Sequence, residues 1–324
     1  MASADSVAPI APVASIAPLA PATTRRLAQG FTALAGVTYI LIVFGALVRA
    51  HGAGLACPDW PLCFGEVIPQ FDFKVAFEWG HRALAGSVGI VFAALAALTL
   101  RAAALRKRML GPVLIAGALL ATQVILGGLT VLELLATWTV TSHLVTGNAF
   151  ALALVLLGRR LFRLAAEASV QADAPSSSPA PMSAASDAQR LLTTIAGILL
   201  AVQIVLGGLV SSSYAGLVCP DWPTCMNGEF APTWSGIQGL HVFHRFVGYS
   251  VVVAIAAAAW LARSHAGSRR WLSVAAIFAL CQVAVGVANV LLRLPVEVTA
   301  THSALAAGLV CTVGVSVREV WRSA

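Results

Sequence analysis

The sequence predicts an all-α integral membrane protein with eight transmembrane helices, arranged as two homologous four-helix bundles related by internal duplication. Three observations predict this fold class. Of the 324 residues, 59% are hydrophobic and only 10% are charged, whereas soluble domains carry about 25% charged residues. Apolar runs long enough to cross a membrane recur along the chain. Motifs of the first half return in the second half at an almost constant offset.

This composition excludes a soluble globular enzyme, a disordered chain and a nucleic-acid-binding protein, despite the formal net charge of +7. The apolar runs are continuous rather than alternating, which predicts helices and not the strands of a barrel. The predicted spans are 28–49, 79–100, 110–132, 138–158, 191–212, 239–262, 271–292 and 298–317.

Lysines and arginines are unevenly divided between the two sides that these spans define. Fifteen lie on the side of both termini, three lie on the opposite side, and two, Arg82 and Arg245, lie inside spans. The positive-inside rule therefore predicts cytoplasmic termini, with the loops after the first and fifth spans outside. The basic charge thus indicates topology and not an acidic partner.

Each of those two outer loops contains a pair of cysteines, Cys57 with Cys63 and Cys219 with Cys225. The compartment outside the membrane is oxidising, which favours a disulfide within each pair. A zinc site is the alternative, although this spacing is loose for zinc and no loop histidine accompanies the second pair.

The two cysteine loops are near copies, Cys-Pro-Asp-Trp-Pro-Leu-Cys and Cys-Pro-Asp-Trp-Pro-Thr-Cys, at an offset of 162 residues. Within three residues, the same offset relates other motifs of the two halves, which predicts a four-helix unit used twice. The predicted organisation is a disordered cytoplasmic tail at 1–26, an N-terminal bundle at 27–163, a cytoplasmic linker at 164–189, a C-terminal bundle at 190–318 and a cytoplasmic tail at 319–324.

Four histidines repeat as two pairs inside spans, His81 with His143 and His244 with His302. Ionisable side chains within a membrane are functional candidates, because burying them without a partner is unfavourable. Two imidazoles that face each other across a bundle form the axial ligand set of a heme iron. Zinc or non-heme iron would require more ligands. Simple interhelical hydrogen bonding is the alternative.

The position three residues before the first histidine of each pair differs between the halves. It is Glu78 in the first half and His241 in the second. A carboxylate near one candidate heme and not the other predicts that the first site performs chemistry, with Glu78 as an acid or base, and that the second holds a permanent cofactor. The alternative is a Glu78 side chain that reaches water at the interface.

Arg82 and Arg245 directly follow the candidate ligands. Their guanidinium groups could bind heme propionates in a bidentate manner, or could reach the lipid headgroups. Gln123 and Gln282 are candidates for hydrogen bonds across each bundle.

Taken together, Glu78-Trp-Gly-His-Arg82, Thr141-Ser-His143, His244-Arg245, Thr301-His302 and the two cysteine loops resemble the heme A synthase family, and the resemblance covers 27–318. The resemblance implies a membrane enzyme that oxidises the C8 methyl group of heme O to a formyl group, giving heme A for terminal oxidases. It also implies the bacterial cytoplasmic (inner) membrane as the location.

By motif position, the resemblance assigns His81 and His143 to the substrate heme O, and Glu78 to the essential carboxylate. It assigns His244 and His302 to a heme B cofactor that relays electrons. Cys57 and Cys63 would form a disulfide near the active bundle, and Cys219 with Cys225 matches a second pair that many relatives lack.

Two alternatives to this enzyme follow from the same histidines. One is a diheme b-type electron-transfer cytochrome, although its histidine pairs would be expected at different depths. The other is a transporter that uses the histidines as a proton relay. The implied partners are membrane lipid, a heme O synthase, cytochrome oxidase assembly factors, an electron acceptor of unknown identity and a second copy of the chain.

Overall fold

The computed structural model describes residues 20–173, 185–264 and 266–322. Eight long helices account for most of these residues, and all eight are long and apolar enough to cross a membrane. Their bounds are α1 Pro21–Ala50, α2 Phe73–Arg101, α3 Ala103–Leu132, α4 Thr137–Asp173, α5 Asp187–Ser212, α6 Gly236–Leu261, α7 Ala266–Leu291 and α8 Val296–Val320. The prediction of an eight-helix membrane protein is confirmed.

Several helices extend beyond the predicted apolar spans. α2 begins at Phe73 because the Asp72 side chain caps it, accepting a hydrogen bond of 2.8 Å from the Val75 amide. α4 continues to Asp173 through residues of high helix propensity, so the first part of the predicted linker is helical. α1 begins at Pro21, within the predicted tail. Residues 1–19 of that tail and 174–184 of the linker lie outside the described residues.

Each half of the protein is a ring of four helices. α1 and α3 both pack against α2 and α4, so α2 and α4 lie diagonally opposite each other. α5 and α7 are related to α6 and α8 in the same way. Phe31, Phe92 and Leu154 belong to the core of the first ring, and Ile255 and Val313 belong to that of the second. This arrangement is the one that an internal duplication requires, and the duplication itself stays a prediction.

The two rings meet through α1, α4, α5 and α8. At the helix ends distant from the cysteine loops, the buried Glu319 of α8 accepts ion pairs from Arg159 at 2.8 Å and Arg163 at 3.2 Å, both on α4. Near the cysteine loops, Arg49 of α1 donates to the backbone carbonyl and the hydroxyl of Ser211 on α5. Polar contacts therefore join the rings at both ends.

Candidate functional site

The four predicted histidines occupy equivalent places in the two rings. His81 lies eight residues beyond the start of α2, as His244 does in α6; His143 lies six residues beyond the start of α4, as His302 does in α8. The helices of each pair are diagonal and run in the same direction, so the two imidazoles have similar depth.

Every one of these imidazoles packs against a glycine of the preceding helix. A Cβ atom added at that glycine would lie only 3.0–3.3 Å from the imidazole Cε1 atom. A side chain there would displace the imidazole. The histidines therefore require these glycines, in addition to any requirement from helix packing. The pairs are Gly45 with His81, Gly127 with His143, Gly207 with His244, and Gly286 with His302.

Glutamines accompany three of the four histidines. The Gln123 amide nitrogen lies 3.1 Å from Nε2 of His143, and that of Gln203 lies 3.4 Å from Nε2 of His244. Gln282 precedes Gly286, the glycine that packs on His302, by the same four residues that separate Gln123 from Gly127. Gln203 was not predicted, although it precedes Gly207 by four residues, as Gln123 precedes Gly127. Leu41 holds this place before Gly45, so the His81 site is the more apolar.

The geometry of each pair fits a heme iron better than a clustered metal site. Within the described ranges, no group of three or more histidine, cysteine, aspartate or glutamate side chains could hold a metal ion. Each four-helix ring instead offers one imidazole from each of two diagonal helices. The buried Nδ1 atoms of all four imidazoles lack a hydrogen-bond partner. Two opposed imidazoles are an axial ligand set for heme.

Glu78 is buried, with an exposed fraction of 4%, so the alternative that its side chain reaches water is wrong. Its Oε2 accepts a 2.9 Å hydrogen bond from the amide of Cys57, and its Oε1 pairs with Nη2 of Arg82 at 2.5 Å. Both oxygens are therefore engaged by the cysteine loop or by the arginine that holds it.

Arg82 binds three carbonyl groups of the first cysteine loop, which comprises residues 51–72. Its Nη1 donates to Asp59 and Leu62, both at 2.7 Å, and its Nη2 donates to Cys57 at 3.2 Å. The guanidinium thus holds the loop. Neither of the two predictions for Arg82, binding to a heme propionate or to lipid headgroups, included this contact. Contact of Arg82 with a heme propionate stays a prediction.

Arg245 does the same in the second cysteine loop, residues 213–235. Its donors reach the carbonyls of Cys219 at 2.8 Å, and of Asp221 and Thr224 at 3.0 Å. The residue at the place of Glu78 is the buried His241, whose Nε2 accepts from Arg245 Nε at 3.3 Å. The propionate prediction for Arg245 likewise stays open.

Disulfides close both loops, as predicted. The sulfur atoms lie 2.01 Å apart in the Cys57–Cys63 pair and 2.12 Å apart in the Cys219–Cys225 pair. All four cysteines are buried, and the zinc alternative does not apply to these pairs.

The tryptophan of each cysteine loop has a different neighbour. Trp60 packs on α3, where a Cβ atom at Gly128 would lie 3.1–3.3 Å from three atoms of its indole. Trp222 instead donates to the Tyr249 hydroxyl at 3.1 Å. It lines an apolar groove of about 610 Å³ between α6 and α7, together with Val287, the counterpart of Gly128 at an offset of 159.

The fold and the site together define a polytopic membrane protein with two four-helix rings, each with a pair of histidines at similar depth on diagonal helices. The family of cytochrome oxidase assembly proteins designated COX15-CtaA matches residues 30–75 and 70–313. The chain belongs to this family.

Several similar proteins bear the name heme A synthase. The one from Shewanella oneidensis is 28% identical, over 85% of this chain and 91% of its own length. The one from Halalkalibacterium halodurans is 30% identical, over 87% of this chain and 93% of its own length. The one from Mesorhizobium japonicum is 30% identical, over 83% and 84% respectively.

Proposed function

We propose that this protein is a heme A synthase, which oxidises the C8 methyl group of heme O to a formyl group by successive hydroxylations and loss of water. The observation that carries the proposal is the pair of diagonal histidine sites, with a buried carboxylate beside the first and a histidine at the same place beside the second. Membership of the family and relatives named heme A synthase support the choice of reaction.

The two rings divide the work. His81 and His143 hold the substrate heme O in the N-terminal ring, and Glu78 is the carboxylate that the reaction needs. His244 and His302 hold heme B in the C-terminal ring, where the iron porphyrin supplies electron transfer when bound. The glycine that packs on each imidazole fixes the position of that imidazole, and the apolar helix faces exclude water from both sites.

The two sites adjoin through the contact between α4 and α5. Thr141, two residues before His143, packs on Gly208, and its hydroxyl lies 3.2 Å from that of Ser212. Gly208 follows Gly207, which packs on His244. This short series of contacts supports electron relay between the two rings.

The distribution of basic residues supports a location in the bacterial cytoplasmic membrane, with cytoplasmic termini and outer cysteine loops. A heme O synthase is then the supplier of substrate, and an oxidase under assembly is the destination of the product. Conversion of a methyl to a formyl group releases four electrons, which an electron acceptor takes up.

The test is to express the protein with a heme O synthase and to extract the hemes from the purified chain. We expect Glu78→Ala to abolish heme A formation while heme B remains at His244 and His302, and we expect His244→Ala to lose heme B. Equal loss of heme from both rings in Glu78→Ala would contradict separate substrate and cofactor sites. A wild type with two hemes B and no heme A would instead indicate an electron-transfer cytochrome.

A further inference from the structure

The first cysteine loop is bound by two neighbouring helices of the N-terminal ring, α2 and α3. On one side, Arg82 and Glu78 of α2 bind its backbone at Cys57. On the other side, the Trp60 indole lies against Gly128 of α3. Gly128 adjoins Gly127, the residue that packs on the imidazole of His143. The loop therefore contacts both the helix that carries His81 and the part of α3 that packs on His143.

The contacts of Glu78 point toward this loop. Each carboxylate oxygen accepts one hydrogen bond, from the Cys57 amide and from the Arg82 guanidinium. Protonation of Glu78 would remove the negative charge from its ion pair with Arg82. Hydrogen bonds that involve a charged group are stronger than neutral ones, so the carboxylate, the guanidinium and the loop form one unit.

The second ring provides an internal comparison. There Arg245 binds the loop carbonyls, but His241 replaces the carboxylate. Val287 holds the place of Gly128, and Trp222 turns to Tyr249. Glu78 and the packing of Trp60 on Gly128 thus occur in the same ring, the one to which the substrate is assigned.

We propose that Glu78 is a positioning residue, which clamps the first cysteine loop over the His81 and His143 site through Arg82 and the Cys57 amide. This inference rests on the proposed function in placing the substrate in the N-terminal ring. On this view, the reaction depends on Glu78 because the loop must stay closed over the site, and Trp60 on Gly128 serves the same closure from α3.

The clamp can be measured without any enzymatic reaction. The full-length protein in detergent is treated with a phosphine reductant, and newly exposed thiols are tagged with a maleimide and located by mass. We expect Glu78→Gln and Gly128→Val each to accelerate tagging of Cys57 and Cys63 about tenfold, the loss of one charge-assisted hydrogen bond or close contact. Arg82→Gln removes bonds to three loop carbonyls and to Glu78, so it should accelerate tagging by at least as much. Cys219 and Cys225 of the same molecule should keep the wild-type rate.

Matched variants in the other ring complete the design. Arg245→Gln should accelerate tagging of Cys219 and Cys225 and leave the first pair unchanged. If Glu78→Gln leaves the first pair as protected as in the wild type, the clamp is overturned.

Heme A formation then separates positioning from proton transfer. Gly128→Val alters no titratable group, and we expect it to lower heme A formation together with Glu78→Gln. Glu78→Gln keeps an oxygen that can accept from the Cys57 amide, so it should retain more activity than Glu78→Ala, with the wild-type pH profile. Full activity in a Gly128→Val protein whose loop is open, or equal inactivity of Glu78→Gln and Glu78→Ala with a protected loop, would overturn the proposal. If the wild-type protein forms no heme A, the proposed function is wrong. The tagging rates would still show whether Glu78 holds the first cysteine loop.

Discussion

Gly45 and Gly36 lie on the same helix and have opposite surroundings, which makes them a matched pair for testing the seating of the histidines. A Cβ atom at Gly45 would lie 3.0 Å from Cε1 of His81, whereas a Cβ atom at Gly36 would meet nothing within 4 Å. Ordinary contacts begin near 3.4 Å. Gly45→Ala must therefore move the imidazole or α1 by roughly 0.4 Å, and overpacking of this kind costs about 1–3 kcal/mol.

Both substitutions remove a glycine from a helix, which is worth about 0.5–1 kcal/mol in favour of alanine. This gain cancels in the comparison, so Gly45→Ala should be less stable than Gly36→Ala by the whole packing penalty of about 1–3 kcal/mol. Thermal unfolding in detergent measures the difference as a lower midpoint for Gly45→Ala, and the heme content per chain should fall in that variant alone. Equal midpoints and equal heme contents for the two variants would refute the seating of His81 on Gly45.

Three further predictions concern the loops and the contact between the rings. Hydrogen bonds from the amides of Gly65 and Phe64 lower the pKa of Asp59. The stabilisation by this carboxylate is therefore present above the unfolded value of about 3.9 and is lost as pH falls through the lowered value. The protection of those two amides against hydrogen exchange, relative to the intrinsic rate at each pH, should fall in acid, and Asp59→Asn should abolish that pH dependence. Glu319→Gln removes the buried partner of three partly exposed arginines and should destabilise the protein by about 1–3 kcal/mol. Glu167→Gln, in an exposed pair with Arg108, should change the unfolding midpoint little. Alkylation without reductant should leave all four loop cysteines unmodified, and a free thiol among them in native membranes would contradict the disulfides.

The fold could be predicted from the sequence because the bilayer imposes long apolar helices. The helix ends were harder to predict, since Asp72 and the charged continuation of α4 extend helices beyond the apolar runs. The cysteine pairs and the histidine positions were also predictable, because repetition at a fixed offset marks them.

The partners of the site residues could not be predicted from spacing alone. A spacing of three residues places Glu78 on the same helix face as His81. The backbone of the loop determines that its carboxylate binds the Cys57 amide. Arg82 was expected to bind propionates or lipid, because loop carbonyls have no sequence signature. Gln203 was the one missed residue with a usable signal, the Gln-x-x-x-Gly spacing that it shares with Gln123.

The most direct test of the account is the heme composition of the wild-type protein. The protein would be purified in detergent from cells that also make heme O, and its extracted hemes identified by chromatography and mass. We expect heme B together with heme O, a hydroxylated heme O or heme A. Heme B alone at two per chain, or no heme, would contradict this expectation.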